Sequence, residues 1–108
     1  MIHALTVTGN GTTETIAALA IASGNYTAVQ ANGFRPSLLQ IVCEGPGVAR
    51  VGDINTTASY GSPVPGVSAS SPGSQFLPSV TQVAHTYSLT SIYVYIPSGT
   101  VVSFLWDA

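Results

Sequence analysis

The sequence predicts an all-β protein, a single-domain β-sandwich or jelly roll of about eight short antiparallel strands. Three observations carry this reading. Short runs with period-two alternation recur along the 108 residues. Gly, Pro, Asn and Ser separate those runs. Helical periodicity is almost absent, and no repeat of solenoid length is found. Residues 1–108 are the size of one domain, and an apolar content of 45% is enough to fill one core.

The elements follow in order. Ile2 to Thr8 alternates Ile2, Ala4 and Thr6 against His3, Leu5 and Val7, and ends at the turn Gly9-Asn10-Gly11. Thr13 to Ala22 carries conflicting signals, because Ala-Ala-Leu-Ala favours a helix while Thr and Ile favour a strand. With Tyr26 to Gln30 it reads as a strand hairpin about Ser23-Gly24-Asn25. Asn32-Gly33 is a turn signal. Ser37 to Cys43 is the best central strand, and Val48 to Val51 is expected to pair back on it across Glu44-Gly45-Pro46-Gly47. Gly61 to Gly73, with Pro63, Pro65 and Pro72, reads as an irregular excursion. Phe76 to Thr81, Ser91 to Ile96 and Thr100 to Trp106 complete the set. The last two flank Pro97-Ser98-Gly99, which reads as a hairpin loop. Ile92, Val94 and Ile96 share one face and Tyr93 and Tyr95 the other; Val101, Ser103 and Leu105 alternate with Val102, Phe104 and Trp106. Large groups on both faces imply that both faces are covered.

Charge is scarce. Glu14, Arg35, Glu44, Arg50, Asp53 and Asp107 are the only formally charged side chains, 6% of the chain against about a quarter in an ordinary soluble domain. A surface of Thr, Ser, Asn, Gly, Pro and apolar groups resists association weakly. It suits a building block covered by copies of itself or by a larger partner. The net charge of −2 excludes the basic footprint of a nucleic-acid binder. The longest apolar run, Ile16 to Ala22, is far too short to span a membrane, and no signal peptide opens the sequence, so synthesis in the cytoplasm is expected. Cys43 sits among Leu39, Ile41 and Val42 and reads as a small buried hydrophobe. The Asn-x-Ser/Thr sequons at Asn10, Asn25 and Asn55 are expected by chance in so Asn- and Thr-rich a chain.

Catalysis finds little material. His3 and His85 are the only imidazoles, and neither Gly61-Ser62-Pro63 nor Gly73-Ser74-Gln75 is a nucleophile elbow. The acids are scattered, and one cysteine with two histidines cannot close a tetrahedral zinc site. Asp53-Ile54-Asn55-Thr56-Thr57 opens like a calcium loop but lacks the later glycine and acid, which leaves an Asx-type turn. No enzyme, cofactor or metal is expected. Among the aromatics, Tyr93, Tyr95 and Trp106 lie in strands, whereas Tyr60 and Tyr26 stand beside glycines or turns as candidate exposed rings; Tyr87 follows His85.

The stretch Val51-Gly52-Asp53-Ile54-Asn55-Thr56-Thr57-Ala58-Ser59-Tyr60-Gly61-Ser62-Pro63-Val64-Pro65-Gly66 resembles a pattern of small tailed-phage virion proteins. There a strand ending in Val-Gly-Asp precedes Asn-x-Thr-Ala and then Gly-x-Pro-Leu-x-Pro-Gly. Leu77-Pro78, the strand Leu89 to Val94 and the final strand after Ser98-Gly99-Thr100 match its continuation, so the likeness runs from Leu38 onward. Val64 stands where Leu is usual, and Val67 to Gly73 is longer and richer in Ser.

The resemblance implies a capsid decoration (cement) protein, a homotrimer at three-fold positions that bridges major capsid protein subunits on the virion exterior. Subunit contacts are then expected from Tyr93, Tyr95, Phe104 and Trp106. Capsid contacts are expected from Tyr60, Ser62, Pro63, Val64, Pro65 and Val67, together with the N-terminal residues. The alternative is a host-recognition module of a fibre or tail, binding glycan through Tyr60 or Tyr26.

Overall fold

The computed structural model describes residues 1–66, 73–78 and 88–107, with the backbone alone for 73–78. Within them the strands are β1 (Ile2–Thr8), β2 (Thr12–Thr15), β3 (Leu38–Gly45), β4 (Val48–Gly52), β5 (Ser62–Pro65), β6 (Gly73–Pro78), β7 (Tyr93–Ile96) and β8 (Val101–Asp107). Two short helices, α1 (Ile16–Ala22) and α2 (Ala28–Gly33), lie between β2 and β3. Within the expected irregular excursion Ser62–Pro65 forms the regular strand β5, while its residues 67–72, Val67 among them, together with His85, Tyr87 and the end of the strand expected at Phe76 to Thr81, fall outside the described residues.

The fold is mostly β, in two four-stranded antiparallel sheets: β1-β8-β3-β6 and β2-β7-β4-β5. The pairing has a simple logic. β1 pairs with β8, β2 with β7, β3 with β6 and β4 with β5, so the chain is one antiparallel ribbon doubled at the β4–β5 connection. The ribbon then wraps, bringing β3 against β8 and β4 against β7. β3 is therefore an interior strand, as its apolar run predicts.

Alternation decides which side chains enter the space between the sheets. Leu5 on β1, Leu39, Ile41 and Cys43 on β3, and Val102, Phe104 and Trp106 on β8 meet Ala49, Val51, Val64, Val94 and Ile96 from the opposite sheet in one buried cluster. The expected faces of β7 and β8 hold: Val94 and Ile96 point inward, Tyr93 and Tyr95 outward, and Val102, Phe104 and Trp106 inward against Leu105 outward.

Three expected local pairings do not form. Pro97-Ser98-Gly99 is no hairpin loop, because β7 and β8 belong to different sheets. Val48 to Val51 likewise leaves β3 for the second sheet and pairs with β5 and β7. Each of these corners, and the β1–β2 corner, holds a glycine at positive φ: Gly11 (80°), Gly45 (91°) and Gly99 (79°). Such glycines reverse a chain within one sheet or carry it to the next with equal ease, so turn residues alone do not separate the two outcomes.

The third correction concerns Thr13 to Gln30: Thr13 to Thr15 is strand, in β2, but from Ile16 on helices replace the expected strand hairpin. Thr15 caps α1 by accepting from the Ala18 amide, and the free amides of Ile16 and Ala17 donate to the carbonyls of Ile92 and Leu89. Thr27 and Gln30 form a reciprocal capping box that starts α2, which continues through the Asn32-Gly33 turn signal. Ile16, Ala17, Leu19 and Ala20 then close part of the sandwich's open side.

Candidate functional site

Three surfaces emerge from this architecture. The first is the outer face of the β1-β8-β3-β6 sheet. Cross-strand register sets Ile2 beside Asp107, Ala4 beside Leu105, and Leu105 beside Gln40, with Leu38 at the same end. Ile2 is 63%, Leu38 44% and Leu105 42% exposed. Each of the two carboxylates on this face has a partner, but only Asp107 is ion-paired. Asp107 pairs with the N-terminal amine at 3.2 Å. The Ser103 hydroxyl donates to Glu44 at 3.4 Å and lies 3.1 Å from the Thr6 hydroxyl. Among the described residues, what remains open on this face is apolar, hydroxylic or the amide of Gln40.

The second surface is the outer face of the other sheet. Thr13, Tyr95, Arg50 and Pro63 form one row across β2, β7, β4 and β5. The loop from Asp53 to Gly61 folds back over part of it. Asp53 makes the expected Asx turn, accepting from the Asn55 amide at 2.9 Å. Thr56, buried, donates to the Asp53 carbonyl, and the Thr13 hydroxyl donates to the Thr56 carbonyl at 2.7 Å. Arg50 donates from Nη1 to the Gly61 carbonyl at 3.0 Å, while its buried Nε has no partner among the described residues. The chain's own loop is thus tied to this face through Thr13 and Arg50, the two residues that flank Tyr95 in the row.

The expected contact residues therefore divide. Tyr93 and Tyr95 are half-buried on an outer face, and Tyr60, Ser62, Pro63 and Pro65 are exposed beside it. Val64, Phe104 and Trp106 are each 1% exposed and belong to this chain's own core, which leaves them nothing to offer a second chain. The alternation of β5 explains Val64: the prolines on either side face out, so the residue between them faces in. Tyr26 is no free platform either, because its hydroxyl donates to the Ala4 carbonyl and its ring joins His3, Phe34 and Trp106. Tyr60, 55% exposed, is the open ring of the pair.

The third surface is a cleft of about 350 Å³ at the open side of the sandwich, where the edge strands β1 and β2 meet α1. Its lining mixes apolar Val7, Leu19, Ala22, Val94 and Ile96 with polar Thr6, Thr8, Asn10, Thr12, Glu14 and Ser23, among which Glu14 is the single charged residue. Glu14 lies opposite Val94 in the β2–β7 register, so it occupies a core-side position on an edge strand. No sequence signal singles it out, since its neighbours in the cleft come from β1, β7 and α1.

Among the described residues no group of three or more His, Cys, Asp or Glu could hold a metal ion, and no helix is long and apolar enough to cross a membrane. Comparison with family models, with curated proteins and with solved structures finds no match.

Proposed function

We propose that this chain is a structural virion protein of jelly-roll fold, a capsid decoration protein that associates with copies of itself, as a homotrimer, and binds the assembled phage head. The ribbon order supports the jelly-roll reading: strands pair first with last, second with seventh and so on, and wrap into two four-stranded sheets, the order expected of a double Greek key. The likeness of Val51 to Gly66 to tailed-phage virion proteins supplies the context.

One observation carries the assembly reading. The outer face of the β1-β8-β3-β6 sheet exposes Ile2, Leu38 and Leu105, with Asp107 ion-paired to the N-terminal amine and Glu44 hydrogen-bonded to Ser103 at its margin. Such a face gains from contact with its like and meets little electrostatic resistance. The head contact is assigned to the other side, where Tyr60, Ser62, Pro63 and Pro65 stand exposed at the edge of the second sheet. Binding the closed shell and not its dissociated subunits stabilises the shell by mass action. Co-sedimentation with purified heads tests this: the protein pellets with intact heads, and Tyr60→Ala together with Pro63→Ser weakens the association.

A further inference from the structure

Arg35 and Glu44 stand at opposite ends of β3. Glu44 is the last outward-facing side chain of the strand, and Arg35 lies just before it in Arg35-Pro36-Ser37. The Ser37 amide donates to the Asp107 carbonyl at 3.2 Å, which sets the segment carrying Arg35 at the end of the sheet that holds Ile2, Leu38 and Asp107. Leu38 to Glu44 spans about 20 Å at the ordinary rise of a strand. Between these ends the outward side chains are Leu38, Gln40 and Val42, with Leu105 and Ser103 beside them on β8.

Both charged side chains are exposed, and among the described residues neither forms an ion pair. The Arg35 guanidinium is held through one nitrogen: Nη1 donates to the Asn32 carbonyl at 3.1 Å, the Phe34 carbonyl at 3.0 Å and the Ser88 hydroxyl at 3.2 Å. Its charge meets neutral acceptors there. Glu44 accepts from the Ser103 hydroxyl at 3.4 Å, again a neutral partner. The remaining charges are placed elsewhere. Asp107 pairs with the N-terminal amine, Arg50 and Asp53 serve the second sheet and its loop, and Glu14 lies on the core side of β2. The low-charge face is therefore bounded by a positioned cation at one end and an anion at the other, neither neutralised by a charge of its own chain.

We propose that copies of this chain join head to tail along this face, with Arg35 of one copy paired to Glu44 of the next. The inference rests on the assembly reading and adds the contact and its direction. Like ends repel and unlike ends attract, so contact between two Arg35 ends or two Glu44 ends is disfavoured. A contact between two different ends is heterologous, and it closes into a ring when the rotation from copy to copy allows. The proposed homotrimer is a ring of that kind. Ile2, Leu38 and Leu105 supply the apolar contact, and the charged pair at the rim sets orientation, since an exposed ion pair by itself adds little affinity.

The test is the mass by light scattering, over a concentration series, of Arg35→Glu, Glu44→Arg and the double variant beside the wild type. Each single reversal sets like charges against each other and is expected to weaken association about tenfold or more. The double variant restores the pair with its ends exchanged and is expected to recover most of the wild-type association. Glu44→Arg takes the net charge from −2 to zero, which on net charge alone promotes association, so weakening by this variant reports the local contact. It also leaves the α2 contacts of Arg35 untouched, so it decides the matter even where Arg35→Glu disturbs α2. A wild-type trimer unaffected by Glu44→Arg, or a folded double variant no better than the single reversals, would overturn this inference and leave the assembly reading standing. A wild-type dimer would overturn the head-to-tail ring in favour of a two-fold contact. A wild-type monomer would overturn the assembly reading itself.

Discussion

His3 and Trp106 lie opposite each other in the β1–β8 ladder, with ring centroids 5.8 Å apart and planes inclined by 27°. Tyr26 and Phe34 complete the group, each within 5.6 Å of Trp106 by centroid. These four rings tie the α1–α2 connection and the end of α2 to the first sheet. They pack about an indole that is itself buried and whose Nε1 has no partner among the described residues.

Trp106 thus presents two opposing costs. Trp106→Ala removes the largest buried side chain and is expected to destabilise the chain by about 3–5 kcal/mol in urea unfolding. Trp106→Phe keeps much of the packing and removes a buried donor whose lost hydration costs about 1–3 kcal/mol. Its net effect is expected to be well under half that of the alanine variant.

Cys43 is fully buried, with its thiol 3.4 Å from the Gly47 carbonyl as a weak donor. A thiol reagent is expected to label it only after denaturant unfolds the sandwich, at the midpoint seen by Trp106 fluorescence. Rapid labelling of the native protein would show that the sheets open locally at β3.

Two glycines should respond in opposite directions. A Cβ on Gly66 would overlap the Gly47 carbonyl and Gly45 Cα, so Gly66→Ala is expected to cost about 1–3 kcal/mol through forced backbone displacement. Gly33, in the last turn of α2 with open space around it, should gain about 0.4–1 kcal/mol as alanine. Thermal unfolding of the two variants beside the wild type checks both signs.

The strand faces were legible in the sequence because alternation at Ile92 to Ile96 and Val101 to Trp106 depends only on which side is buried. Their partners were not, since a glycine such as Gly99 serves a hairpin and a sheet-crossing corner equally well. The α2 start was written in Thr27 and Gln30, a capping-box spacing outweighed by the strand propensities of Tyr26, Thr27 and Val29. α1 was decided by distant groups: its first amides bond to Leu89 and Ile92, about seventy residues on. The cleft was hidden for the same reason, because Glu14 acquires its surroundings from β1, β7 and α1. Phe104 and Trp106 were correctly read as facing one way, but the face they share is this chain's own interior.

The exposed face of the first sheet yields a further prediction. Leu105→Arg places a charge at its centre, on an interior strand whose core-side neighbours Phe104 and Trp106 are unchanged. The variant is expected to remain folded by circular dichroism, because the substituted position is already 42% exposed, and to lose self-association.

Multi-angle light scattering of the wild-type protein at micromolar concentration tests the central claim most directly, since it asks whether the low-charge outer sheet is covered by a second copy. The mass of a trimer, falling to that of a single 11.0 kDa chain in Leu105→Arg, is the predicted result. A wild-type protein that remains a monomer at that concentration, with its exposed leucines open to water, would contradict the claim.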